Sequence, residues 1–170
     1  MGLFKHFIQG GALAELLIEG HNPYAHEKLS ATDVDALRQQ ASTSESLQAF
    51  ASGRIVGAGR GVWVLTNQAV LLRNDSEAGV LRLALSDVRG FEAVRGRYGH
   101  TLRLQTADRQ WSLFGADRDL AHTLHQALQA AGIRCHFDDR GARSAAWRDA
   151  APAGWAQECL NDLRSRLAMA

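Results

Sequence analysis

Residues 61–85, GVWVLTNQAVLLRNDSEAGVLRLAL, decide the fold class. Leu81, Leu83 and Leu85 alternate with Arg82 and Ala84. A period of two puts the apolar members on one face of a pleated strand, dry on one side and wet on the other. Gly61–Thr66 and Ala69–Arg73 are apolar almost throughout, as a more enclosed pair of strands would be. Turn formers punctuate these runs at Thr66-Asn67-Gln68 and Asn74–Gly79. Downstream the alternation returns. Leu102 and Leu104 flank Arg103, and Trp111 and Leu113 flank Ser112, with turn signals at Ser86-Asp87, Gly96–Gly99 and Ala107-Asp108. Counting Gly53–Gly59 and Val88–Val94, the pattern predicts seven strands in an antiparallel meander.

The period then changes. Leu120, Leu124 and Leu128 are four apart, flanked by Ala121, Ala127 and Ala131. That spacing predicts one amphipathic helix, with Asp117 as N-cap and Gly132 at the left-handed position that ends it.

Seven strands followed by one helix is the order of the pleckstrin-homology superfold, and the residues resemble the bacterial pleckstrin-homology-like group. Gly61–Arg73 carries the resemblance, with Leu83–Phe91 (LALSDVRGF) and the closing helix Ala116–Gly132. It covers roughly half the chain. The resemblance implies an α+β fold: a seven-stranded antiparallel barrel closed by one C-terminal helix, used for binding or self-assembly rather than chemistry. The expected organisation is an N-terminal helical extension over 1–46, the barrel over 47–132, and a C-terminal tail with an amphipathic helix over 133–170.

Composition narrows the function. The chain of 170 residues is 46% hydrophobic and 22% charged, with a formal net charge of +1. That is ordinary globular composition, and the near-neutral charge argues against a nucleic-acid partner. Charge is unevenly placed: residues 1–53 carry three basic and six acidic side chains, residues 54–109 nine arginines and five acids. Two cysteines, Cys135 and Cys159, make no disulfide framework, and no apolar run approaches the ~20 residues of a membrane span. The expectation is a cytoplasmic protein.

Either side of the meander the sequence offers helices. Leu3, Phe4, Phe7, Ile8, Leu13, Leu16, Leu17 and Ile18 form one apolar face, loosened at Gly10-Gly11. A short helix is predicted over 32–41, capped by Thr32, with Asp33 and Asp35 near its positive end and Val34 and Leu37 as contacts. Residues 133–137 read either as a short extra strand or as an extended tail. A last helix is predicted over 153–168, with Trp155, Cys159, Leu160, Leu163 and Leu167 on one face. Phe4, Phe7, Ile8, Leu17, Trp155, Leu160 and Leu163 are the candidate interaction residues, for a protein partner or a second copy.

No catalytic constellation outweighs a structural reading. Gly57-Ala58-Gly59-Arg60-Gly61 precedes a strand rather than a helix, so it predicts a hairpin and not a phosphate loop. His122 and His125 share a helix but lack further ligands, and Cys135-His136 in extended chain point to opposite faces. The expectation is a protein that is not an enzyme and has neither cofactor nor metal. In pleckstrin-homology domains, basic side chains around the first hairpin grip anionic headgroups. The resemblance therefore suggests a second use, weak contact with a lipid or phosphate headgroup, through Arg54, Arg60, Arg95, Arg97, Tyr98 and His100. Val62-Trp63-Val64 stands where that family carries a dense basic cluster.

Overall fold

Thr66 sets the first of the tight turns on which the sheet depends. Its Oγ1 accepts the backbone N–H groups of Gln68 and Ala69, both at 3.1 Å, and so folds Thr66-Asn67-Gln68 between two apolar strands. The computed structural model describes residues 29–42, 44–57, 59–74, 79–96, 99–139 and 155–167, with the side chains of Trp155 and Ala156 outside that description. The elements are α1 (Ala31–Gln40), β1 (Leu47–Ile55), β2 (Gly59–Thr66), β3 (Ala69–Asn74) and β4 (Val80–Ala84). A 3-10 turn (Leu85–Asp87) leads to β5 (Gly90–Gly96), β6 (Gly99–Gln105), β7 (Gln110–Ala116), α2 (Arg118–Ala130), β8 (Cys135–Asp138) and α3 (Trp155–Leu167).

The expected seven-stranded antiparallel barrel with one closing helix is not what forms. Among the described residues, eight strands make one mixed sheet in the order β4-β3-β2-β1-β7-β6-β5-β8, and three helices pack on it. The end strands β4 and β8 are not bonded to each other, so the sheet stays open. The departure begins at Gly132, whose φ of 85° ends α2 while Ile133 N–H reaches back to the Leu128 carbonyl. The helix has by then carried the chain across the sheet, so the next strand runs parallel to β5, from Phe91↔Cys135 to Val94↔Asp138. Of the two readings of residues 133–137, the strand is the one found. β1 and β2 pair as a hairpin in which Ile55 stands opposite Gly59 and Gly53 opposite Gly61.

Cross-strand register sorts the side chains into two faces. One inner row runs Ala51, Trp63, Leu72 and Leu81. The first three are buried; the fourth lies on the end strand and is 40% exposed. Leu102, Leu104 and Leu113 of the other half-sheet and Leu120, Leu124 and Leu128 of α2 complete the core.

The outer face of β1–β4 carries Phe50, Val64 and Leu71, and α1 and α3 cover it as a further layer. The cap of α1 is Ser30 rather than Thr32: its hydroxyl accepts Asp33 N–H at 3.1 Å, and the Asp33 carboxylate accepts Ser30 N–H at 3.3 Å. Leu160, Leu163 and Leu167 of α3 are buried in this layer, and Arg164 donates to the Leu47 carbonyl at 3.0 Å. Leu160 and Leu163 therefore serve the chain's own core, not a free interaction face. Phe4, Phe7, Ile8 and Leu17 lie outside the described residues, as does the side chain of Trp155.

Candidate functional site

The basic residues expected to form one anion-gripping mouth are dispersed, and most are consumed. Arg60 is 8% exposed on the outer face of β2 and is ion-paired with Asp33 of α1. Arg73 of β3 approaches the same carboxylate at 3.5 Å. Arg60 is thus a strut between helix and sheet. Arg54 is its cross-strand neighbour and only half-buried. Arg97 and Tyr98 lie outside the described residues.

Arg95 and His100 do come together, as cross-strand neighbours in the β5–β6 hairpin. Their partner is Asp139, just past β8, which the sequence did not single out. Arg95 Nη1 and His100 Nε2 each lie 3.2 Å from Asp139 Oδ1, and Arg118 Nε, at the start of α2, donates to Oδ2 at 2.8 Å. Burial alone would raise the Asp139 carboxyl, but the hydrogen bonds from Arg118 and Arg95 outweigh it and hold it below the usual range. Burial pushes the His100 imidazole down to about 4, so it is neutral near pH 7. Its ring stacks on Phe137 with centroids 5.0 Å apart and 16° between planes, and His122 meets the same ring edge-on at 5.0 Å. Arg118 Nη1 also meets Asp119 Oδ1 at 3.2 Å, so two guanidinium groups are matched by two carboxylates. The cluster fastens β8 and α2 to the hairpin and offers an incoming anion no spare charge.

Among the described residues no group of three or more His, Cys, Asp or Glu is placed to hold a metal ion. Burial pushes the Cys135 thiol up to about 11, which keeps it protonated, unlike an activated nucleophile. Among the described residues, no helix is long and apolar enough to cross a membrane.

What remains accessible is the open side of the sheet. Between β4 and the β6–β7 turn lies a groove of about 260 Å³, lined by Leu81, Leu83, Asp87, Arg89, Arg109 and Trp111, among others. Its apolar floor is the outer end of the core rows, and Arg109 sits over the Trp111 ring at 5.0 Å. The main chain of β4 borders it. Leu85 N–H donates to the Gln68 carbonyl, which puts Leu83–Val70 and Leu81–Leu72 in hydrogen-bonded pairs. The N–H groups of Arg82 and Ala84 therefore point away from β3, and no strand pairs with that edge among the described residues. The alternation of Leu81 and Leu83 foretold an apolar face. That the face ends at an open edge depends on strand order, which alternation does not encode.

No family model matches this sequence, and no curated protein matches it. Among solved structures, the chain is similar to the hSac2 domain from human phosphoinositide phosphatase Sac2, with a TM-score of 0.43 and 14% identity over 69% of this chain and 96% of that one. A likeness this distant assigns neither ligand nor activity.

Proposed function

We propose that this protein is a non-enzymatic interaction module that docks an extended segment of a protein partner along β4, in the cytoplasm, where Cys135 and Cys159 stay free thiols. One coincidence carries this reading: outward-facing amides on an end strand lie beside an apolar groove built from Leu81, Leu83 and Trp111. An incoming strand gains main-chain hydrogen bonds from such an edge, and alternate side chains find the groove. Natural edge strands are commonly blunted by proline, a charged side chain or a bulge. β4 reads VLRLA and pairs with β3 in unbroken register, so it has neither proline nor bulge, and its one charge, Arg82, is ion-paired with Glu45 at 2.7 Å.

Ala84 provides a clean test. Its φ of −61° already suits proline, so Ala84→Pro removes one outward N–H without straining the strand. Peptides selected by display on the immobilised protein should carry alternating apolar residues. They should bind Ala84→Pro and Leu83→Asp about fivefold or more weakly than wild type. Failure to select such peptides, or equal binding by Ala84→Pro, removes the reading. A wild-type dimer that Ala84→Pro converts to monomer in light scattering would replace the foreign partner with a second copy of this chain.

A further inference from the structure

A second cleft, on the far half of the sheet, has a different chemistry. It measures about 400 Å³ and is lined by Arg89, Gly90, Glu92, Arg103, Arg134 and His136, together with Phe91, Gln105 and Cys135. We propose that it is a binding site for a phosphate-type oxyanion, gripped by Arg89 and Arg134.

The argument begins with charge. Three arginines line the cleft against a single acid, Glu92, and Arg103 already neutralises that acid at 2.8 Å. Arg89 and Arg134 are exposed, and neither guanidinium has a partner among the described residues. Among the described residues, Arg60, Arg73, Arg82, Arg95, Arg103 and Arg118 are ion-paired, Arg164 is hydrogen-bonded and Arg109 lies over the Trp111 ring. Two unspent cations facing one cavity form the exception.

Their placement is rigid where it counts. Arg89 N–H donates to the Gln105 carbonyl at 2.7 Å, and Phe91 N–H donates to the Arg134 carbonyl at 3.0 Å. The two main chains are thereby clamped on either side of Gly90, at the first residue of β5 and just before β8. Gly90 leaves the floor open: a Cβ there would stand 3.5 Å from Gln105 Oε1 and 3.6 Å from the Arg134 carbonyl oxygen. His136, across the ladder from Glu92, adds an exposed imidazole to the rim. Planar guanidinium forks suit the oxygens of phosphate, and two of them fit a dianion better than a monoanionic carboxylate.

Free phosphate, a soluble phosphate ester and a phosphomonoester lipid headgroup share this chemistry, and the experiment separates them. Amide chemical shifts are followed by NMR during titration with inorganic phosphate at fixed ionic strength, with chloride as control. Wild type should show saturable shifts at Gly90, Gln105 and Cys135. Arg89→Gln and Arg134→Gln should each weaken binding about fivefold or more, and the double variant should abolish it, while Arg54→Gln changes nothing. Flotation with phosphatidylcholine vesicles, with and without phosphatidic acid, then identifies the source. Retention on the phosphatidic acid vesicles alone, lost in the double variant, assigns a lipid headgroup. Phosphate binding without flotation assigns a soluble ligand. Absence of saturable shifts, or shifts that survive the double substitution, overturns the site. Arg134 lines this cleft and not the β4 groove, so Arg134→Gln reports on the anion site independently of peptide docking.

Discussion

At the scale of single residues, burial decides what each polar group can do. Thr66 has no exposed surface; its hydroxyl donates to Glu45 and accepts two turn N–H groups. Thr66→Val keeps the shape but orphans these groups, and urea denaturation should show a loss of about 1–3 kcal/mol. Burial also decides the state of His100. An unfolded histidine titrates near ~6.5, whereas folded His100 is held down to about 4. Within that window the unfolded chain binds a proton that the folded chain refuses, so stability falls as pH falls. The loss from pH 7 to pH 5 should be about 2 kcal/mol, and most of it should disappear in His100→Gln. Equal pH slopes in the two proteins would contradict this. Asp139, held low by its arginines, adds a loss of the same sign only at still lower pH. These residues were legible in type and not in role: Arg60 and Arg95 read as exposed cations because nothing nearby in sequence announces Asp33 or Asp139 as their partners.

Among the elements, α1 is attached by the buried Val34 and Leu37 and by Asp33, whose carboxylate closes the capping box with Ser30 and holds Arg60 and Arg73. Asp33→Ala would remove the carboxylate that two buried guanidinium groups share, with an expected cost of about 3–5 kcal/mol in chemical denaturation. Asp35→Ala, two residues away, removes only an exposed contact with Arg38 at 3.5 Å and should cost under about 1 kcal/mol. Similar losses from both would mean that Asp33 acts as a helix-end charge alone. Element boundaries followed local chemistry where it was strong. Asp117 caps α2 by accepting Asp119 N–H at 2.9 Å and Leu120 N–H at 3.2 Å, and Gly132 ends it. They stayed open between two readings where it was weak, as at β8, four residues too short to display a period.

Across the whole molecule, the amphipathic helix α3 is part of the fold rather than an attachment. Leu163 is 2% exposed against the layer formed with α1 and β1. Leu163→Ala should lower stability by about 2–5 kcal/mol in urea denaturation, and the same substitution should leave peptide binding at β4 unchanged while the chain is folded. Lost binding without lost stability would return α3 to the role of a docking helix. Local patterning was enough for β2 to β7, the turns between them and the caps of α2, because these depend on residues within a few positions of one another; β1, expected at Gly53–Gly59, runs instead over Leu47–Ile55. That the sheet stays open with β8 parallel to β5, that α3 covers the sheet, and which arginines among the described residues remain unpaired became visible only in three dimensions. Those outcomes depend on which distant groups meet, and a guanidinium carries the same letter whether a carboxylate faces it or water does.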